Sequence, residues 1–337
     1  MTRFIDIKRM QQIVTHTGLE TFLSQLVNYI EEDYRQWNIF QKTARIANHS
    51  AEGVIELMPT ASDKLYGFKY VNGHPKNALN NKLTVMAFGA LADVETGFPL
   101  LLSEMTISTA LRTAATSVLA AKYLCPTPRH MAVIGNGAQS EFQCIAFHRL
   151  AGVNEISLYD IDPAASEKLL SNLRDWPELT VRVCGSVREA VKGADIITTI
   201  TADKKNALIL TNDMVESGVY INAVGGDCPG KTELHPDILY RANVVVEYEP
   251  QSRIEGEIQS VPDAFAVTEL WQFITGNVDI SHSDYSITVF DSVGFALEDY
   301  STLRYLYDLT EALDQENNIE LIPTPENPRD LYQFVRR

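Results

Sequence analysis

The run Met131-Ala132-Val133-Ile134-Gly135-Asn136-Gly137-Ala138-Gln139-Ser140 constrains this chain more than any other segment. Four apolar residues read as a buried strand, glycines then force a tight turn, and Phe142, Ile145 and Ala146 recur at helical spacing on one face. A strand that turns through glycine into a helix opens a βαβ layer, and the rest of the chain keeps that rhythm. Strands are predicted at Met131 to Gly135, Glu155 to Asp160, Thr180 to Cys184, Asp195 to Thr201, Val219 to Val224 and Asn243 to Tyr248, with helical stretches between them. The expected fold class is α/β, with an open, mostly parallel, doubly wound sheet of Rossmann type covered by helices on both faces.

The glycine turn is a G-x-G-x-x-S variant of the dinucleotide fingerprint. Gly135 permits the turn, Gly137 lets a pyrophosphate approach the backbone, and the amides of Ala138 and Gln139 offer donors to an anion. Ser140 stands where the third glycine belongs and is small enough for close helix packing. Asp160 ends the second predicted strand twenty-five residues beyond Gly135, near the roughly 20 at which a carboxylate accepts from a ribose 2′-hydroxyl. An anion there repels a 2′-phosphate, and Ile161 and Asp162 supply no arginine to receive one, so NAD is favoured over NADP. Capping the next helix is the other use for Asp160, but Asp162 before Pro163 fills that role better.

The run Thr198-Thr199-Ile200-Thr201-Ala202 closes a strand where the carboxyl ends of such a sheet line a ligand crevice. The cluster Asn222-Ala223-Val224-Gly225-Gly226-Asp227-Cys228-Pro229-Gly230-Lys231 follows another strand, and its glycines and proline fix a loop that displays Asp227 at the crevice mouth. Desolvation there makes an aspartate a base, while loop amides make it a turn former; the residues alone leave both open.

Ahead of this unit, Phe4 to Ser103 mixes a helical segment, about Leu19 to Trp37, with extended runs at Gly53 to Met58 and Thr84 to Phe88. With polar turns such as Asn72-Gly73, this part reads as an α+β domain. A helix over Thr106 to Leu124, stopped by Cys125-Pro126-Thr127-Pro128, leads into the second domain. A last helical stretch, Ser301 to Leu313, and a polar tail bring the chain back. The expected division is 1–120 joined by 310–337, and 121–309. In the first part Arg45, Lys69 and Arg112 each sit among apolar or small residues and need anionic partners, either structural carboxylates or a substrate carboxylate gripped in a guanidinium fork.

Composition sets the outer bounds. With 337 residues, 45% of them hydrophobic, the chain has ample material for a core of about two domains. A net charge of -16 without a Lys/Arg cluster argues against nucleic acid. No apolar run reaches the roughly 18 residues of a membrane span, and Met1 to Asp6 lacks a signal-type apolar stretch, so a cytoplasmic location without membrane contact is expected. Four scattered cysteines without C-x-x-C, histidines without H-x-x-x-H, and no G-x-S-x-G leave no metal site and little support for a hydrolase.

Taken together, Lys42-Thr43-Ala44-Arg45, Phe68-Lys69-Tyr70-Val71-Asn72-Gly73-His74-Pro75, Ala110-Leu111-Arg112-Thr113-Ala114-Ala115, the glycine turn, Val224 to Lys231, Glu247 to Glu257 and Phe290 to Phe295 resemble the ornithine cyclodeaminase/mu-crystallin family over nearly the whole chain. The string Gly225 to Leu234 is more similar to the family's cyclodeaminases than to its imine reductases and alanine dehydrogenases. The resemblance implies a redox-neutral lyase that turns L-ornithine into L-proline and ammonia on a retained NAD, in ornithine and arginine catabolism or proline biosynthesis. It implies that Arg45, Lys69 and Arg112 hold the substrate carboxylate in the first domain and that Asp227 is the catalytic acid-base. Glu56 and Val293 are implied near substrate, and Thr84, Thr201, Asn222, Ala223, Val224, Gly225, Lys231 and Ser292 near cofactor. A homodimer joined through the first domain is implied as well. A same-fold amino-acid dehydrogenase, ketimine reductase or lysine cyclodeaminase, or a non-enzymatic binder of crystallin type, are the competing readings.

Overall fold

Alternation of inward and outward side chains builds the first sheet. Strand β1 (Thr2–Ile5) is followed by helices α1 (Ile7–Thr17) and α2 (Leu19–Arg35). Then come β2 (Ile46–His49), β3 (Val54–Ala61), β4 (Leu65–Gly73), β5 (Val85–Asp93) and β6 (Pro99–Glu104). On β3 Val54, Glu56 and Met58 are buried while Ile55 and Leu57 are exposed; on β5 Ala87 and Leu91 are buried while Met86 and Phe88 are exposed. The register sets Met58, Lys69 and Gly89 in one row and Glu56, Val71 and Ala87 in the next. The pleat therefore delivers two charged residues, Glu56 and Lys69, to the inner face. Asn72-Gly73 is not the expected turn. Both residues lie within β4, and the Asn72 side chain holds them there by accepting from the Met86 N–H at 2.7 Å.

From β6 the chain passes into α3 (Thr106–Leu124). Small residues on every side let this helix lie buried along almost its whole length, packed on β5, α2 and the second sheet. That sheet runs β7 (His130–Ile134), α4 (Ser140–Ala146), β8 (Glu155–Tyr159), α5 (Pro163–Asn172), β9 (Thr180–Val183), α6 (Val187–Val191) and β10 (Ile196–Thr199). It continues with β11 (Tyr220–Ala223), α7 (Pro236–Leu239), β12 (Ala242–Val246), α8 (Glu249–Glu255), β13 (Thr268–Glu269), α9 (Leu270–Ile274) and β14 (Ile287–Asp291). The eight strands are parallel in the order β13-β12-β14-β11-β10-β7-β8-β9. Met131 to Ile134 are all buried, as a strand covered on both faces requires. The order reverses direction between β7 and β10, the switch point at which such sheets open a crevice.

Helix α10 (Ala296–Leu313) then packs on β3 to β6, α2 and α3, and β15 (Asn318–Ile319) pairs with β1. The seven-stranded first sheet has the order β15-β1-β6-β5-β4-β3-β2. The chain thus returns to the first lobe at Ala296 rather than at residue 310, because the apolar face of α10 is needed to close that core. On α4 the buried side is Gln143, Cys144 and Ala146, with Phe142 and Ile145 only half-buried. The computed structural model describes residues 1–125, 127–202, 207–278, 287–313 and 318–336, so Pro126 of the expected helix stop lies outside the described residues. Among the described residues no helix is long and apolar enough to cross a membrane.

Candidate active site

At the switch point the turn after β7 meets the end of β10. Gly135 has φ +98°, and a Cβ there would stand 2.6 Å from the Ile200 carbonyl oxygen, so only glycine lets the two strand ends approach this closely. Around Gly137 the space is open. Ala138 and Gln139 lie in the turn ahead of α4, and the Ser140 hydroxyl donates to the Gly137 carbonyl at 2.7 Å, a loop-closing contact that a third glycine lacks. Asp160 accepts from the Asn136 N–H at 2.6 Å and the Asp162 N–H at 2.8 Å, while Asp162 caps α5 by accepting from Ala164. Asp160 therefore shapes the glycine turn and retains lone pairs for a further donor.

The loops at the ends of β10 and β11 are held by buried carboxylates. Thr201 donates its N–H and its hydroxyl to Glu233, and its carbonyl accepts from Lys231 Nζ at 2.8 Å. The amides of Val224 and Gly225 both donate to the Thr199 carbonyl at 2.9 Å. A Cβ on Gly225 would lie 2.1 Å from a Glu233 carboxylate oxygen, which explains this glycine by a close approach rather than by mobility. Glu233 and Leu234 in turn donate their N–H groups to buried Glu257, and Glu257 and Ile258 donate theirs to Asp291. Burial pushes the Asp291 carboxyl up to about 7 against the pull of those amides. On this frame Asp227 projects with its side chain 55% exposed, its Oδ1 3.4 Å from Lys231 Nζ. Burial alone would lower the Lys231 pKa, but Asp227 and Glu233 raise it. Asn222 sits buried in β11, donating to Gln143 and Thr198, and Ala223 accepts the Ser292 N–H at 2.9 Å.

Three cations of the first lobe face this frame. Arg45 is anchored on four sides: Nη1 to Glu56 at 3.1 Å, Nε to Glu255 at 2.9 Å, and Nη2 to the carbonyls of Val293 and Gly294 at 2.6 and 2.7 Å. Lys69 and Arg112 share one oxygen of Asp299, at 2.7 and 3.0 Å, and Arg112 also donates to Glu298 at 2.8 Å. Burial, followed by repulsion from Arg112, pushes Lys69 down to about 8 despite Asp299. Glu255 is pushed up to about 7 by burial and by neighbouring Glu56 and Asp227, against the pull of Arg45. Against its burial, Glu255 and Glu56, and more weakly Asp227, raise the pKa of Arg45. Arg45, Glu56, Lys69, Arg112, Asp227, Lys231, Ser292 and Val293 are thus brought around one seam between the lobes. Thr84 immediately precedes β5, its carbonyl accepting from the His74 N–H at 2.8 Å.

A dinucleotide fits this ground. Among the described residues Gln139 Oε1 and Asn222 Oδ1 are buried without a hydrogen-bond partner beside the open space at Gly137 and the β11 end, and they await donors. The profile of the ornithine cyclodeaminase/mu-crystallin family matches residues 7–314. The chain belongs to this family. It is 56% identical to an ornithine cyclodeaminase of Brucella suis over 335 residues, 99% of this chain and 93% of that protein. A solved lysine cyclodeaminase, described for its recognition of L-lysine, L-ornithine and L-2,4-diaminobutyric acid, superposes with a TM-score of 0.87 at 25% identity, covering 93% of this chain and 94% of that one. An archaeal alanine dehydrogenase dimer with bound NAD gives 0.86 at 29% identity, covering 95% and 99%.

Within this family frame, sequence reasoning missed the carboxylates that accompany the cations: Glu255, Glu298 and Asp299 at the seam, and Glu233, Glu247, Glu257 and Asp291 beneath the loops. A signal existed for one pair. Glu298-Asp299 interrupts the otherwise apolar Phe295-Ala296-Leu297 and Tyr300, and an acidic pair entering a buried helix needs cations opposite.

Proposed function

We propose that this enzyme converts L-ornithine to L-proline and ammonia with NAD as its resident cofactor, as a cytoplasmic homodimer. The observation that carries this reading is that buried Lys69 and Arg112 meet at Asp299 on the seam, while Asp227, beside Lys231, bears electrostatically on Arg45 and Glu255 of the same seam. Gly135, Gly137, Ala138, Gln139, Asp160 and Thr201 would hold the adenosine and pyrophosphate half of the dinucleotide, and Asn222, Ala223, Val224, Gly225, Lys231 and Ser292 the nicotinamide half, with Thr84 at its rim. When bound, NAD supplies a hydride acceptor for Cα and a donor for the ring imine, so no net oxidation occurs.

Lys69 and Arg112 receive the substrate carboxylate on donors their own carboxylates leave free, with Arg45 closing the seam. Glu56, whose Oε1 is buried and unpartnered among the described residues, faces the amines together with Val293. Asp227 takes the proton from the δ-ammonium, because only the neutral amine attacks carbon, and returns it as the α-nitrogen leaves. The test is incubation with L-ornithine and substoichiometric NAD. Proline far exceeding the NAD added, without NADH accumulation, is the expected result; a 2-oxo acid with stoichiometric NADH would reject it. L-lysine in the same assay, read as pipecolate, sets the chain-length preference.

Because Lys69 grips a carboxylate only when charged and its pKa lies at about 8, KM for L-ornithine should climb above pH 8, by up to about tenfold per unit. Lys69→Arg, which does not titrate in this range, should flatten the climb. Coincident KM profiles for the two proteins would remove Lys69 from the carboxylate site.

The outer face of the first sheet supports the dimer. Ile46, Ile55, Leu57, Met86 and Phe88 stand 36–63% exposed there, and Phe88 stacks on Tyr70. Such a patch asks for a partner. Phe88→Glu is expected to sediment at half the mass of the parent protein; an unchanged mass would place the interface elsewhere.

A further inference from the structure

We propose that Glu247 is a positioning residue for substrate binding, holding the Ser292–Gly294 turn and through it the guanidiniums of Arg45 and Arg112. This rests on the reading of the seam given above. Glu247 follows β12, whose last residue pairs with Asp291 at the end of β14, so parallel register sets it beside Ser292. Fully buried, its Oε1 accepts from the Ser292 hydroxyl at 2.6 Å and the Gly294 N–H at 3.1 Å, and its Oε2 accepts from the Val293 N–H at 3.0 Å. The other side of the same turn serves the first lobe. The carbonyls of Val293 and Gly294 accept from Arg45 Nη2, and that of Gly294 also accepts from Gln251 Nε2 at 2.7 Å.

Gly294, at φ +76°, lies so close to Arg112 that a Cβ would stand 2.6 Å from Nη1. One carboxylate thus fixes, through three donors, the turn that seats two of the cations. Both of its oxygens act as acceptors, and against the burial that raises its pKa these three bonds pull it down. An amide cannot substitute, because in either orientation its NH2 would face a backbone N–H, that of Gly294 or that of Val293.

The experiment compares Glu247→Gln, Glu247→Asp and Gly294→Ala in NAD-loaded protein. Glu247→Gln should raise KM for L-ornithine at least tenfold with kcat changed far less, keep NAD affinity within about twofold, and speed amide exchange at Val293 and Gly294. Glu247→Asp should recover part of the KM, and Gly294→Ala, which strains the same turn and sets a Cβ against Arg112, should raise KM as well. The Gln and Ala changes combined should be clearly less than additive, as for residues acting through one turn. Unchanged KM and unchanged exchange in Glu247→Gln overturn the proposal, as does a uniform loss of NAD and ornithine binding in all three variants. Should the parent protein form no proline from ornithine, the proposed function fails by itself. The exchange rates of Val293 and Gly294, which need no substrate, then still decide whether Glu247 holds the turn. If Glu247→Gln does not fold, Glu247→Asp decides: a raised KM with faster exchange at Val293 and Gly294 and unchanged NAD affinity supports the proposal, and unchanged KM and exchange overturn it.

Discussion

Asp227→Asn is expected to lower kcat by about 10²–10⁴-fold, the usual contribution of a positioned acid-base, while the protein folds and binds NAD as before. The change is isosteric, and the side chain is half exposed on its loop, so little packing is at stake. What disappears is a proton acceptor, without which the δ-ammonium stays protonated. An alternative role would be to orient Lys231, which reaches Asp227 at 3.4 Å while donating to Thr201. In that case the variant would bind NAD less tightly and retain most of its turnover at saturating cofactor. Titrating NAD by fluorescence alongside the rate of proline formation separates the two, and a nearly unchanged kcat removes Asp227 from the chemistry.

Arg112→Met is expected to destabilise the fold by about 3–5 kcal/mol as well as to abolish ornithine binding. The guanidinium lies between Glu298 and Asp299, all three buried, and methionine leaves Glu298 without its cation and Asp299 with Lys69 alone. Glu298 is already pushed up to about 8 by burial and by Glu247, with Arg112 holding it down. Removing that cation drives its folded pKa higher still. A carboxyl whose folded pKa exceeds its unfolded value contributes stability at pH below the unfolded value and loses it as pH rises through the folded one. The deficit of Arg112→Met should therefore be smaller at pH 5 than at pH 8.5. Urea unfolding at the two values checks this, and an equal deficit would show that charge compensation is not what Arg112 provides.

The second lobe was legible because its physics is local. A strand buried on both faces is a continuous apolar run, and a glycine turn and an Asp-Pro helix start are written in adjacent residues, so β7 and β8 emerge within a residue of their ends and α5 at its start. Strand β14 was not read as a strand, although Ile287 to Phe290 are suitable. Its insertion between β11 and β12 depends on pairings with residues some forty to seventy positions away, which no local pattern records. Asn72-Gly73 misled because the dipeptide favours a hairpin turn, whereas its side chain found a cross-strand partner in Met86. In the site, the cations stood out against their apolar neighbours. The carboxylates did not, since acidic residues are abundant in a chain of this charge and most lie on the surface. Only the assembled fold tells buried Glu233, Glu257 and Asp291 from the rest.

Helix α3 leaves β6, lies buried between the sheets and delivers the chain into β7, and α10 leaves β14 to close the first core. The larger hydrophobic core runs through both halves of the molecule, and only a smaller cluster, around Ile134, Ile197, Ile221 and Val289, belongs to the second lobe alone. A chimera that grafts one relative's front half onto another's back half must carry both helices from a single parent or lose cooperativity. New preferences in this scaffold are therefore best sought by altering a few side chains along the join, not by trading modules.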